Sequence, residues 1–239
     1  MPQGTDTTFR FKQFQVRHSS SAMKVGTDAV LLASWAELDG LKHILDVGTG
    51  TGVIALMCAQ KNPAAYIEAI DIHEGSVEDA RFNFAESPWK ERLKVYQGDF
   101  LKIVSGEKFD LIISNPPYFS QSLRAADPDR NAARHDDTLP ADAFLKLSRK
   151  LLLPEGKVMV IIPVNQLERW LNEASKNGLS PRRICHVFTL AFKDPSRVMI
   201  ELEMGFSGEP KMESILIEKS PGEKSEAYKE LTRAFYLKW

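Results

Sequence analysis

The stretch HILDVGTGTGV, residues 43–53, decides how the rest of the chain is interpreted. Its first five residues predict a strand, and glycines then occupy alternate positions before a helical pattern that runs to about residue 60. Glycine tolerates positive φ and lets the backbone approach a ligand closely. A strand that ends in a glycine turn and leads into a helix is typical of α/β sheets, which bind ligands outside the carboxyl ends of their strands.

Strands and helices alternate from residue 43 to residue 163. The sequence predicts strands at 43–47, 66–70, 93–96, 109–114 and 157–162, and further helices at 75–85, 141–152 and 167–176. This alternation predicts a doubly wound, Rossmann-like α/β fold with a mostly parallel sheet. Two later β-type runs, 183–192 and 197–206, are separated by only four residues, so we expect them to form an antiparallel hairpin.

The chain is predicted to be a single domain over residues 1–239, because no repeat or flexible linker divides it. Residues 1–42 are expected to be an amino-terminal segment, 43–206 the core, and 207–239 a carboxyl-terminal strand and helix. The last helix is expected at 225–239. It would pack on the body of the protein through Tyr228, Leu231, Phe235 and Tyr236.

Composition excludes several classes of protein. Apolar residues make up 43% and charged residues 26%, which is ordinary for a soluble globular protein, and a net charge of −1 means that a polyanion would need a local basic patch. Cys58 and Cys185 lie outside any metal-ligand spacing, so we expect neither a disulfide nor a metal. Without a signal peptide or an apolar run long enough to span a membrane, the sequence predicts a cytoplasmic protein. No exposed apolar stripe demands a partner, so a monomer is expected.

Carboxylates end the second and third predicted strands, beside the glycine turn. Asp71 can accept both hydroxyls of a ribose, and Asp99 can hold an adenine amino group next to the Phe100 ring. Val53 directly follows the third glycine, so the spacing differs from the dinucleotide fingerprint. An adenosine site without phosphate is therefore predicted, although strand-end carboxylates are also common helix caps. Its residues are Asp46, Gly48, Gly50, Gly52, Asp71, Ile72, Asp99 and Phe100.

The fourth strand, in the stretch FDLIISNPPYFSQ (residues 109–121), ends in Asn115-Pro116-Pro117-Tyr118. Two prolines stop the strand and make a stiff turn. The Asn115 oxygen and the Pro116 carbonyl can accept both hydrogens of a planar amino group, and they would stabilise the positive charge that grows on its nitrogen. Tyr118 offers a face on which an extruded base can stack. We predict that these four residues are catalytic and that Asn115 also borders the ligand; the alternative is a simple turn.

These motifs resemble, in order, those of class I S-adenosylmethionine-dependent methyltransferases that act on amino groups. Residues 11–14, 22–32, 225–228 and 234–237 are also similar to one subfamily, the bacterial tRNA1(Val) adenine-N6 methyltransferases. The resemblance implies a seven-stranded sheet, S-adenosylmethionine as cofactor, and methylation of an adenosine beside the anticodon of a valine tRNA. It further implies that the segment with Lys24, Gly26, Thr27 and Asp28 closes over the cofactor, although Thr27 or Asp28 can also cap a helix.

A tRNA substrate requires clustered cations on a chain with this net charge. One group lies in the polar loop after Tyr118, a second before the first core strand, and a third beside the hairpin turn. Acidic residues interleave with the loop cations, so ordinary ion pairing is an alternative. The predicted RNA contacts are Arg17, Arg124, Arg130, Arg134, His135, Lys193 and Arg197.

Two other functions remain open from the sequence. Methyltransferases of glutamine side chains in release factors share the Asn-Pro-Pro-Tyr element, because an amide presents the same amino group. Those enzymes carry a helical domain before the glycine turn, and about 42 residues before residue 43 are too few to form one. A non-catalytic module that binds RNA or S-adenosylmethionine is the second alternative, and the intact glycine turn and Asn115 argue against it.

Overall fold

The structure, a computed structural model, describes residues 8–19, 25–103, 106–117 and 139–238. The described strands are β1 (Thr8–Arg10), β2 (Gln15–Arg17), β3 (His43–Val47), β4 (Tyr66–Asp71), β5 (Leu93–Gln97), β6 (Phe109–Ser114), β7 (Leu152–Pro163), β8 (Leu179–Leu190), β9 (Arg197–Met204), β10 (Lys211–Ser220) and β11 (Glu223–Lys224). The described helices are α1 (Thr27–Trp35), α2 (Val53–Lys61), α3 (Glu74–Ala85), α4 (Ala141–Leu151), α5 (Leu167–Lys176) and α6 (Glu226–Thr232).

The main sheet has the order β11-β10-β8-β9-β7-β6-β3-β4-β5, and β1 and β2 form a separate antiparallel pair. Strands β3 to β7 run parallel to one another, whereas β9 is antiparallel to both β7 and β8. The order reverses at β3, which lies between β4 and β6. The predicted doubly wound sheet and its antiparallel hairpin are therefore confirmed.

Helices cover both faces of this sheet. Successive residues of β3 point to opposite sides, so that Ile44 joins the cluster beneath α1, α2 and α3 and Leu45 joins the cluster beneath α4 and α5. A sheet that is buried on both faces explains the nearly continuous apolar runs in its strands. No described helix is long and apolar enough to cross a membrane.

The described part of the sheet contains nine strands, two more than expected. Strand β10 pairs in parallel with β8, and β11 pairs with β10. An unpaired edge on β8 would expose its backbone donors and acceptors, and β10 covers them. The predicted hairpin therefore lies inside the sheet, and its turn stays at the surface.

Several element boundaries differ from the prediction, and two of them show how pairing overrides local pattern. Strand β7 begins at Leu152 and not at residue 157, because Leu152 pairs with Phe109 of β6. A bulge that contains Glu155, at φ 61°, separates this pair from the pairing that starts at Lys157. Helix α6 ends at Thr232 and does not continue to residue 239. Beyond it, Phe235 accepts a hydrogen bond from the Lys12 amide and Tyr236 forms a bridge with Phe11. The predicted packing of Phe235 on the body is confirmed.

Candidate active site

The carboxyl ends of β3, β4 and β6 bring the predicted site residues to one edge of the sheet. Val47, the last residue of β3, pairs with Ile70 on one side and with Ser114 on the other. The residues that follow these three positions are therefore neighbours: the glycine turn, Asp71 and Asn115. This edge lies where the strand order reverses, which is where open α/β sheets bind ligands.

The glycine turn adopts the positive φ angles that its sequence predicts. Gly48, Gly50 and Gly52 have φ of 68°, 56° and 82°. A Cβ built on Gly48 or Gly50 would meet no atom within 4 Å, so open space lies beside this backbone. A Cβ on Gly52 would lie 2.5 Å from the Phe84 ring. The first two glycines therefore leave room for a ligand, and the third allows α2 to pack closely against α3.

Asp46 lies beneath the turn and is fully buried. Its Oδ2 accepts hydrogen bonds from the Thr49 hydroxyl at 2.6 Å and from the Ala55 amide at 3.2 Å. Its Oδ1 accepts no hydrogen bond from the described residues. Burial raises the pKa of Asp46 to about 7, against the lowering effect of these two bonds. The contacts of Asp46 thus shape the turn, and its unpaired oxygen leaves one buried acceptor beside the site.

Stability should depend on pH through Asp46. In the unfolded chain the Asp46 carboxyl has its ordinary pKa of 3.8, so it loses its proton at a lower pH than in the folded protein. The free energy of unfolding therefore falls as the pH rises above this value, and the fall is complete near pH 7. The Asp46→Asn side chain cannot titrate, so this variant should lack the part of the decrease in unfolding free energy that Asp46 causes. Urea unfolding from about pH 4 to about pH 8 measures it, with the exposed Asp194→Asn as the control. Parallel curves for Asp46→Asn and the parent protein would contradict the assignment.

Asp71 is buried against the turn, with the exposed Ile72 directly after it. The Asp71 Oδ2 accepts the Gly50 amide at 2.8 Å, and Oδ1 accepts the His73 amide at 2.9 Å. Each carboxylate oxygen can accept a further bond, so ribose hydroxyls can still be held. Ile72 is 53% exposed and offers an apolar surface beside that carboxylate.

Asp99 and Phe100 follow β5, one strand further from the turn. Asp99 begins the short 3₁₀ helix Phe100–Lys102 by accepting the Leu101 amide at 2.9 Å, and it pairs with Lys102 at 3.2 Å. The helix-cap alternative is therefore realised, and the carboxylate keeps part of its surface exposed. The Phe100 ring is buried and packs 5.3 Å from the Phe144 ring, so most of it belongs to the core.

The Asn115 turn is fixed to β3 through the residue before it. The buried Ser114 hydroxyl donates a 2.7 Å hydrogen bond to the Val47 carbonyl, directly beside the glycine turn. Asn115 is half-buried, Pro116 is buried and Pro117 is exposed. Tyr118 lies outside the described residues. The structure thus brings the predicted acceptor side chain next to the predicted adenosine site.

Asn83 of α3 joins the amino-terminal strands to the glycine turn, and the sequence did not single it out. It is 2% exposed, and its Nδ2 donates to the carbonyls of Arg17 and Thr51, both at 2.9 Å. Its Oδ1 accepts the Arg17 amide at 2.8 Å. Asp79 and Asn83 lie four residues apart on one helix face, but their burial becomes visible only in the folded chain.

Arg17, a predicted RNA contact, is held within the protein. Its Nε lies 3.2 Å from the buried Asp79 Oδ1, and its guanidinium lies 3.8 Å from the centre of the Phe82 ring. The side chain is only partly exposed. Its contacts anchor β2 on α3, and its role as an RNA contact stays a prediction.

The described residues of the predicted closing segment, Gly26, Thr27 and Asp28, lie beside the hairpin cations at one edge of the sheet. Thr27 begins α1, and Gly26 precedes it without a side-chain cap. Asp28 pairs with Arg197 at 2.9 Å, which joins α1 to the start of β9. Lys193 is exposed in the turn between β8 and β9. The predictions for Lys24, Arg124, Arg130, Arg134 and His135 lie outside the described residues.

The match to a protein family follows this geometry. A family model described as methyltransferase small domain matches residues 15–176, from β2 to the end of α5. The chain belongs to this methyltransferase family. The match contains the glycine turn, Asp71, Asp99 and Asn115. No group of three His, Cys, Asp or Glu side chains suited to a metal ion occurs among the described residues of this methyltransferase chain.

Curated methyltransferases resemble the chain over nearly its whole length. A tRNA1(Val) (adenine(37)-N6)-methyltransferase of Parabacteroides distasonis is 44% identical over 96% of this chain and 98% of that protein. One of the same name from Bacteroides thetaiotaomicron is 45% identical over 96% of this chain and 97% of that protein. A third, from Vibrio vulnificus, is 41% identical over all of both chains.

Solved methyltransferase structures share the fold. One described as a predicted O-methyltransferase from Agrobacterium tumefaciens has a TM-score of 0.69 at 17% identity, covering 87% of this chain and 96% of that chain. A methyltransferase from Pyrococcus furiosus has a TM-score of 0.53 at 23% identity, covering 74% of this chain and 81% of that chain. These likenesses concern the fold and agree with the predicted architecture.

Proposed function

We propose that this chain transfers a methyl group from S-adenosylmethionine to the N6 amine of an adenosine in tRNA, at the adenine beside the anticodon of a valine tRNA. One observation carries the proposal: the Asn115 turn stands beside a glycine turn that has room for a ligand, and Ser114 ties the two together. The full-length similarity to tRNA1(Val) (adenine(37)-N6)-methyltransferases supports the substrate. It also favours RNA over a glutamine side chain.

The residues at the carboxyl edge fit the cofactor. Gly48 and Gly50 leave open space beside their backbone, Asp71 has acceptor capacity for hydroxyls, and Ile72 exposes an apolar surface. Asp99 keeps part of its carboxylate exposed for an amino group. The glycine turn, residues 48–52, contains no Lys or Arg, and an adenosine without phosphate requires none. When bound, S-adenosylmethionine would supply an electrophilic methyl group, and its sulfur would keep the electron pair of the broken C–S bond as the neutral thioether product.

The chain's own contribution is electrostatic. The lone pair of an exocyclic adenine amine is delocalised into the ring, so positive charge grows on nitrogen as that amine attacks. The Asn115 oxygen and the Pro116 carbonyl accept its two hydrogens and stabilise this charge, as oxyanion-hole donors stabilise a negative one. The product ammonium is acidic and loses its proton to water. The prolines keep both acceptors in position before the substrate arrives.

Incubation of the protein with total tRNA and cofactor labelled on its methyl group tests the proposal. Digestion to nucleosides should place the label in N6-methyladenosine, and fractionated tRNA should place it in a valine acceptor. Release factors incubated in parallel test the glutamine alternative. Label in another methylated nucleoside, or in release-factor glutamine, would overturn the assignment. A monomeric state and a cytoplasmic location stay predictions.

Asp71→Ala should weaken binding of S-adenosylmethionine by roughly 10- to 150-fold, the range expected for lost hydrogen bonds to a charged group. The variant loses the acceptor of the ribose hydroxyls and also the acceptor of the Gly50 amide. Isothermal titration measures the affinity, and circular dichroism checks the fold. Asp194→Ala, which removes an exposed carboxylate from the β8–β9 turn, is the matched control. Unchanged affinity in a folded Asp71→Ala protein would remove Asp71 from the site.

A further inference from the structure

The turn between β8 and β9, residues 191–196, stands at the same edge of the sheet as the candidate site. Strand β9 runs antiparallel to β7, and its first residue, Arg197, pairs with Pro163, the last residue of β7. Strand β8 runs in the direction of β7, so its end at Leu190 also lies at this carboxyl edge. The turn therefore rises from the edge where Asn115 ends β6.

The turn also stands higher than the site. Ser114, at the end of β6, pairs with Val160, and β7 continues for three further residues to Pro163. At about 3.3 Å per residue this adds about 10 Å. Because β9 and β8 are the second and third strands from β6, the turn lies about 10–15 Å to one side. The turn therefore forms a wall, a raised surface at one side of the site opening, and it lies too far from the site to contact the target base.

This wall is held in place. The Arg197–Asp28 ion pair at 2.9 Å fixes the base of the turn to α1. Backbone hydrogen bonds from Ser196 to Val187 at 3.0 Å and from Lys193 to Leu190 at 3.1 Å close the turn itself. A side chain carried by this turn is thus presented from a defined position.

Phe192 is the aromatic side chain that the turn presents. It is 73% exposed and belongs to neither buried cluster of the described residues. The exposed Lys193 follows it. An exposed ring next to a cation is the combination that binds unpaired nucleotides, since the ring stacks on a base and the cation contacts phosphate. Lys193 is a predicted RNA contact, whereas Phe192 falls at the end of the predicted strand 183–192.

We propose that Phe192 stacks on an unpaired base of the tRNA other than the target adenosine, while Lys193 contacts the adjoining phosphate. The proposal rests on the proposed function and names a residue that positions the substrate without touching the reacting atoms. Phe192 would thus contact the anticodon loop directly. The described residues form no separate RNA-binding module that could make this contact instead.

Kinetics of tRNA methylation test this role. Phe192→Ala should raise KM for tRNA roughly 5- to 150-fold, as for loss of one base–aromatic stack, with little change in kcat or in affinity for S-adenosylmethionine. Phe192→Trp should restore KM, because the indole also stacks, whereas Phe192→Leu should not. Met212→Ala is the matched control: Met212 is 60% exposed and pairs with Ile184 of β8, which lies six residues, about 20 Å, before the end of that strand.

The possible outcomes separate this proposal from the function on which it rests. An unchanged KM in Phe192→Ala, with N6-methyladenosine still formed by the parent protein, would overturn the stacking role alone. Rescue by leucine as complete as rescue by tryptophan would also overturn it, since the contact would then be merely apolar. If the parent protein formed no N6-methyladenosine, the proposed function would fail, and filter-binding affinities of tRNA for the parent and Phe192→Ala proteins would still decide the role of Phe192.

Discussion

Asn115→Ala is expected to lower the single-turnover rate of tRNA methylation about 10²–10³-fold, as the loss of one oxyanion-hole donor does in acyl transfer. The amide oxygen acts when charge develops on the attacking nitrogen, so its removal raises the barrier more than it weakens substrate binding. Affinity for S-adenosylmethionine should change little, because the proposed partner of the amide oxygen is the target amine and not the cofactor. Rapid-quench measurement with enzyme in excess isolates the chemical step from product release.

Two further variants make this test specific. Asn115→Asp keeps an acceptor, adds a charge and loses the amide donor, so we expect partial activity between that of the parent protein and that of Asn115→Ala. Asn172→Ala makes the same truncation at an exposed position on α5 and should leave the rate unchanged. A rate at the parent level in Asn115→Ala would falsify the mechanism, and the turn would then only end a strand.

Gly52→Ala should be the most destabilising single change in the glycine turn, with a loss of about 2–5 kcal/mol in the free energy of unfolding. Two costs combine. An alanine at φ 82° is strained, and its Cβ would lie 2.5 Å from the Phe84 ring, which is itself buried between α2 and α3. Urea unfolding of the protein without cofactor measures the loss independently of any effect on ligand binding.

Gly50→Ala is the matched control, because Gly50 also has positive φ but its Cβ would meet no atom within 4 Å. It should lose only about 1–2 kcal/mol for the backbone strain. A double-mutant cycle with Phe84→Leu isolates the steric cost, since the smaller side chain should make Gly52→Ala less damaging. Equal losses in Gly52→Ala and Gly50→Ala would mean that the ring moves away without cost.

The parts of the fold that sequence predicted are those set by local pattern. Strand β6 and helix α5 have the predicted bounds, and β3, with its glycine turn, follows from eleven consecutive residues. The carboxyl-terminal helix was predicted too long because the pattern at 225–239 contains no sign of Phe11, its distant partner. Pairing between remote segments decided that boundary.

The same distinction applies to the candidate site. The position of Asp71 and Asn115 at one edge of the sheet was predictable, because Asp71 ends β4 and Asn115 directly follows β6. Asn83 was missed because its bonds reach Arg17, 66 residues away, and Thr51, 32 residues away. Phe192 was absorbed into the predicted strand 183–192, whereas β8 ends at Leu190 and leaves the ring in the turn. The exposure of Phe192 and its position beyond the ends of the strands depend on the folded structure, so the sequence alone could not show them.

The hydrogen bonds of Asn83 couple the glycine turn to the amino-terminal hairpin formed by β1 and β2. A single amide holds the Thr51 carbonyl of the turn and the backbone of Arg17 in β2. A ligand that binds the turn more tightly when the hairpin is docked must favour docking of the hairpin by the same factor, because coupling between two equilibria is reciprocal. Binding of S-adenosylmethionine at the turn and docking of the β1–β2 hairpin on α3 are thus expected to be coupled through this one side chain.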